Sequence, residues 1–114
     1  MKKLSVLIAF VCGFVIAGAA QAKKPVTVKI ATPTVQCNMC KQKIENYMKS
    51  EEGVTKVNVN FKRKETTVTY YPERTNIENI KTSIANAGYD ADDVTANEDS
   101  YKKLPTCCKK PEDQ

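Results

Sequence analysis

The stretch TVQCNMCKQK, Thr34 to Lys43, decides how this chain is read. Two cysteines, Cys37 and Cys40, stand three apart where the apolar pattern changes its period. Before them, in VTVKIA (Val26 to Ala31), Val26, Val28 and Ile30 alternate, as in a half-buried strand. Thr32-Pro33-Thr34 breaks that strand. After them, Cys40, Ile44, Tyr47 and Met48 recur along one face of a helix, with Lys41, Lys43 and Lys49 facing outward. The pair therefore falls in a strand-to-helix loop. A metal clip, a redox couple and a structural disulfide all use such a pair.

Working outward, Glu51-Glu52-Gly53 predicts the end of the first helix, glycine being favoured just past a C-cap. Val57, Val59 and Phe61 alternate with Asn58 and Asn60. Lys62 to Glu65 makes a polar turn, and TTVTYY (Thr66 to Tyr71) is rich in β-branched and aromatic residues, so the two runs read as a hairpin. Pro72 stops it. Thr75 or Asn76 caps a second helix carrying Ile77, Ile80, Ile84 and Ala87, and Gly88 ends that helix. YDADDV, Tyr89 to Val94, reads as a weak edge strand. The order is βαββαβ. This is an α+β, ferredoxin-like sandwich: a four-stranded antiparallel sheet with two helices on one face. Thr27, Lys29, Asn58, Asn60, Thr67 and Thr69 would line the opposite, polar face.

Both ends differ in character from this core. Lys2-Lys3, an apolar run and Ala20-Gln21-Ala22 make residues 1–22 a secretory signal peptide, which is preferred to a membrane anchor because the run is near the lower limit for spanning. Cys12 would leave with it. The core domain would occupy 23–94. Residues 95–114 form a tail containing Cys107-Cys108, mobile in part, with Tyr101 and Leu104 as docking groups. Of 114 residues, 18 are basic and 13 acidic, and loss of Lys2 and Lys3 leaves only a small positive excess. No basic stripe with interleaved aromatics is present and tryptophan is absent, which excludes nucleic-acid recognition.

From Val26 to Val94 the chain resembles the heavy-metal-associated domain of small copper chaperones, P-type ATPase metal-binding domains and periplasmic mercury-binding proteins. The resemblance rests on the Cys37/Cys40 loop, on Ile44-Glu45 and Met48 in the first helix, on Gly53-Val54, and on AGYDA (Ala87 to Ala91). It implies a carrier and not an enzyme, with Tyr89 beside the metal loop. The chain departs from the family pattern at Val35-Gln36, Lys41 and Glu51, and the Cys107-Cys108 tail lies outside the common core.

The residues carry their own chemical logic. Cysteines at a helix N-terminus meet unpaired N–H groups and the positive end of the dipole, which favour thiolate. Two soft sulfurs suit Cu(I), with Hg(II) next, and the chain has no histidine to complete a zinc site. A small C-x-x-C loop gives little stability as a disulfide. A thiol–disulfide exchange module is the alternative of another class, and an interaction domain with incidental cysteines a further one. Cys107 and Cys108 are additional candidate ligands. A fold-back of the tail would give a richer site for Zn(II), Cd(II) or a Cu(I) cluster. Tyr89 and Met39 are candidates for the surroundings of the metal. The expectation is a periplasmic monomer, with a metal-bridged dimer as the alternative, free of the membrane after cleavage. It would exchange its ion with a metal-transporting ATPase or another donor or acceptor protein. The outward lysines form either a solvated face or a steering patch for an acidic partner.

Overall fold

A computed structural model describes residues 24–114, and the expected signal peptide lies outside them. Among the described residues no helix is long and apolar enough to cross a membrane. Strand β1 (Val26–Ala31) pairs antiparallel with β3 (Glu65–Tyr70), and β3 pairs on its other side with β2 (Val54–Asn60), giving the order β1-β3-β2. The central strand explains the sheet's two faces. Thr66, Val68 and Tyr70 point into the core, while Thr67 and Thr69 alternate away from it. The Thr66 hydroxyl is buried but shares a 3.0 Å hydrogen bond with Thr32. On the outer face Thr27 and Thr69 bond across β1 and β3 at 2.9 Å. Lys29, Asn58 and Asn60 are exposed there, as the alternation predicts.

Helices α1 (Asn38–Met48) and α2 (Ile77–Asn86) cover the apolar face. Cys40, Ile44 and Met48 from α1 and Ile80 and Ile84 from α2 are fully buried with Ile30, Val59 and Val68 of the sheet. Each such aliphatic side chain contributes about 1.5–3 kcal/mol on burial. Tyr47, expected on the buried face, is 43% exposed instead. The stripe is narrower than expected because Cys40, Ile44 and Met48 already fill the contact. Helix α1 also stops earlier than expected, at Met48, and residues 49–53 form successive turns before Gly53, at φ +83, leads into β2. Asn76 caps α2 by accepting the Asn79 N–H at 2.9 Å.

The expected fourth strand, Tyr89–Val94, does not form, so the sheet has three strands among the described residues. Ala91 and Val94 exchange both backbone hydrogen bonds, each 2.9 Å, around a tight turn with Asp92 at φ +51. Asp92 alone reaches β1. Its N–H donates to Ala31 O at 2.8 Å, and its carboxylate accepts the Ala31 N–H at 2.7 Å. Aspartate tolerates this left-handed conformation and offers its side chain in place of a ladder bond, so an aspartate-rich segment turns where a strand would continue.

Beyond Val94 the chain forms α3 (Glu98–Lys102) and two single-turn 3-10 segments, Thr106–Cys108 and Pro111–Asp113. Asn97 caps α3 with its side chain and also donates its N–H to Ala85 O at 2.9 Å, tying the tail to the end of α2.

Candidate metal centre

Cys37 is the N-cap of α1, in extended conformation, and Cys40 lies in the first helical turn. Their sulfurs are 3.6 Å apart, both as free thiols. This is well beyond the ~2.05 Å of a disulfide. The loop before them is held from three sides. The Thr34 hydroxyl accepts the Asp90 N–H at 3.1 Å, Gln36 donates to Thr34 O at 3.0 Å, and the Lys64 ammonium donates to Val35 O. Val35 itself is fully buried. The family departure at Val35-Gln36 thus has a structural role here: one side chain packs and the other braces the turn.

The two thiols differ in setting. The Cys40 N–H faces the Cys37 sulfur and holds that thiol below its ordinary pKa. Burial opposes this as the next largest influence, and the neighbouring Cys40 thiol and the Met39 N–H add to the lowering. Such lowering is what an N-terminal helix turn does to a thiol. Cys37 is half-buried, whereas Cys40 is fully buried.

The tail brings a third sulfur. Cys108 is fully buried, and its Sγ lies with those of Cys37 and Cys40 within 4.8 Å of one another. Burial pushes the Cys108 thiol pKa up, and the nearby Cys40 thiol adds to this. Its neighbour Cys107 points elsewhere. That side chain is exposed and directs its thiol at Met39 Sδ, 3.6 Å away, while its carbonyl receives the Cys37 thiol at 3.8 Å. Two vicinal cysteines are thereby given different environments, which a 3-10 turn achieves by rotating successive side chains about 120° apart. Met39, raised in the sequence as a neighbour of the metal, is 48% exposed and meets the cysteines through the Cys107 thiol.

Tyr89 roofs the cluster. Its ring is fully buried and its hydroxyl has no hydrogen-bond partner. Burial above all, then the adjoining Cys108 and Cys40 thiols, push its pKa far up, so the phenol stays protonated. A buried hydroxyl left without an acceptor costs about 1–3 kcal/mol. A thiolate beneath it would accept a hydrogen bond from it.

The structure also assigns work that sequence reasoning missed. Glu45 Oε2 accepts both the Lys41 ammonium at 2.7 Å and the Val59 N–H at 3.0 Å, which fixes α1 against β2. Lys41 donates further to Asn58 and to Val59 O. Its charge is therefore engaged, and the expected lysine patch reduces to Lys43 and Lys49. The signal available beforehand was the i, i+4 spacing of Lys41 and Glu45.

Comparison with known proteins follows the same geometry. The heavy-metal-associated domain pattern matches residues 29–90, more than half of the chain. The chain belongs to the heavy-metal-associated domain family. Members of this family are binding domains and not enzymes. The mercuric transport protein periplasmic component of Shewanella putrefaciens is 34% identical over 89 residues, covering 78% of this chain and 93% of that protein. A copper-exporting P-type ATPase of Staphylococcus aureus is 33% identical over 77 residues, 68% of this chain but only 10% of the ATPase. Among solved structures, oxidized MerP from Ralstonia metallidurans superposes with a TM-score of 0.57 at 28% identity, over 60% of this chain and 94% of its own. The CopZ metallochaperone shares the fold, with a TM-score of 0.56 at 24% identity, over 58% of this chain and 98% of its own.

Proposed function

We propose that this heavy-metal-associated domain is an exported carrier of a soft metal ion, which it binds as cargo through the thiolates of Cys37 and Cys40. The observation that carries this reading is the pair of free sulfurs 3.6 Å apart at the start of α1, with one of them favoured as thiolate. Soft sulfur donors select Cu(I) over hard cations. A closed zinc site takes four donors, and the cluster among the described residues contains three cysteines and no carboxylate. Cu(I) is therefore the first cargo. Hg(II) is the second reading, favoured by the 34% identity with a periplasmic mercuric transport component along nearly its full length. That likeness, with the signal-peptide pattern of residues 1–22, also supports a periplasmic location.

Each protein ligand must lose its proton on loading, and Cys37 is closest to doing so. Its sulfur is half-buried, so the thiolate of a donor or acceptor protein reaches the ion from that side. The incoming sulfur bonds to the metal as a protein sulfur leaves and regains a proton, with no change of oxidation state. Copper-exporting ATPase domains of the same family supply the class of partner.

The test is anaerobic titration of the reduced mature protein with Cu(I), Hg(II) and Zn(II) against a competing chelator. One soft ion bound per chain, lost in Cys37→Ser and Cys40→Ser, is the expected result. Turnover of a dithiol substrate without metal affinity would instead establish the thiol–disulfide exchange module.

A further inference from the structure

The geometry points to Cys108 as a third protein ligand, so that the docked tail closes a three-sulfur site over the cargo. This deepens the carrier reading above and rests on it. The C-x-x-C pair lies within the 29–90 match to the family pattern. The third sulfur comes from residues beyond the 29–90 match.

Three observations converge. First, the distances suit three sulfurs better than two. With metal–sulfur bonds of about 2.3 Å, a planar three-sulfur ring places its sulfurs about 4.0 Å apart, and a linear pair about 4.6 Å. Cys37 and Cys40 stand at 3.6 Å, and the three sulfurs lie within 4.8 Å of one another. The trigonal arrangement needs only a small opening of the pair, whereas the linear one needs about 1 Å.

Second, the tail is pinned by contacts that owe nothing to metal. Leu104 is buried against Gly88, the Asn97 N–H bonds to Ala85 O at 2.9 Å, and the Ala96 N–H bonds to the Asp90 carboxylate at 2.8 Å. Farther along, Tyr101 Oη donates to Asp113 at 2.6 Å and accepts the Lys110 N–H at 2.8 Å, clasping the segment that carries both cysteines. The Cys108 N–H closes on Pro105 O at 2.8 Å. Ordering the third ligand is already done before the ion arrives, which is what raises affinity in a preorganised site.

Third, the Tyr89 hydroxyl is fully buried, faces Cys108 and Cys40, and has no partner. Metal-bound thiolates at those positions supply the acceptor it lacks, as groups around a metal commonly do for its ligands. On loading, the Cys108 thiol forms its metal–sulfur bond and its proton passes to solvent. Release to an acceptor then requires Cys108 to leave first, which makes undocking of the tail the gate for transfer.

Copper K-edge X-ray absorption on the Cu(I)-loaded mature protein, reduced beforehand and freed of reductant and added thiol before loading, counts the sulfurs directly. Three sulfurs in the wild type and in Cys107→Ser, but two in Cys108→Ser, is the expected outcome. Cys108→Ser should also bind Cu(I) on the order of 10–100-fold more weakly while keeping one ion per chain. Two sulfurs in the fully loaded wild type would overturn the third ligand and leave the carrier reading standing; this measurement needs no variant to fold. Loss of the third sulfur in Cys107→Ser, with its retention in Cys108→Ser, would also overturn it. Absence of one-to-one binding in the wild type would overturn the carrier reading itself.

Discussion

Leu104 occupies the space that a side chain on Gly88 would need: a β-carbon there would stand 3.1 Å from Leu104 Cδ2. Gly88 also sits at φ +109, where L-residues are strained. The end of α2 and the docking of the tail are thus one contact.

Gly88→Ala should therefore cost roughly 1–3 kcal/mol, read as a lower urea midpoint. Leu104→Ala should weaken tail docking by about 2–5 kcal/mol. In both variants Cys108 should become alkylated by a neutral maleimide far faster than in the wild type. An unchanged Cys108 rate in Leu104→Ala would show that the tail is held by its hydrogen bonds alone.

The thiol pKa values of Cys37 and Cys108 are shifted in opposite directions. The folded-state pKa of Cys37 is lowered, so its contribution to stability is present above the unfolded thiol value of about 8.5 and is lost as pH falls through the folded value. That of Cys108 is raised, so its contribution is present below the unfolded value and is lost as pH rises toward the folded one. In metal-free protein the iodoacetamide rate at Cys37 should have its midpoint below that of a free cysteine, while Cys108 stays inert. Mass spectrometry of the alkylated peptides across pH 5–9 distinguishes them. Equal midpoints would contradict the environment described for the helix N-terminus.

How much of this was legible beforehand varies with the kind of interaction. The α1 stripe of Cys40, Ile44 and Met48 and the alternation of β3 follow from periodicity, so the elements of the core could be read in order. The Ala91–Val94 turn could not, because its outcome depends on Asp92 finding Ala31, a partner far away in sequence. The separation of Cys107 from Cys108 was equally hidden. Tyr101 and Leu104 could be picked out as docking groups of the tail, but their partners, Asp113 for Tyr101 and Gly88 for Leu104, are set by tertiary contacts that no local pattern records.

Asp92 allows a discriminating pair of substitutions. Its bond from the Ala31 N–H and its φ of +51 matter, whereas its 3.8 Å approach to Lys81, within a group of partly exposed carboxylates, adds little. Asp92→Asn keeps the acceptor and tolerates the backbone, so its stability should stay within about 0.5 kcal/mol. Asp92→Ala loses both and should cost about 1–2 kcal/mol in thermal or urea unfolding. Equal losses in the two variants would assign the effect to the Lys81 charge instead.

Glu45 joins α1 to β2 through Lys41 and the Val59 N–H. Glu45→Ala should cost about 1–3 kcal/mol by leaving that N–H without its acceptor, and Glu45→Gln should recover most of the loss. Neither should abolish one-to-one metal binding, since Glu45 touches no sulfur. A variant that stays stable but binds no metal would show that the helix orientation, and not only its first turn, sets the site.

The placement of Cys108 near Gln114 bears on how the protein is handled. β1 runs toward the cysteine loop, so its first residues, from Val26, lie about 20 Å from its far end. The exposed Lys24 precedes them. An affinity tag, fluorophore or fusion partner placed directly after Gln114 would load the very segment that bears the third sulfur. Attached ahead of Lys24, it would leave that segment unencumbered.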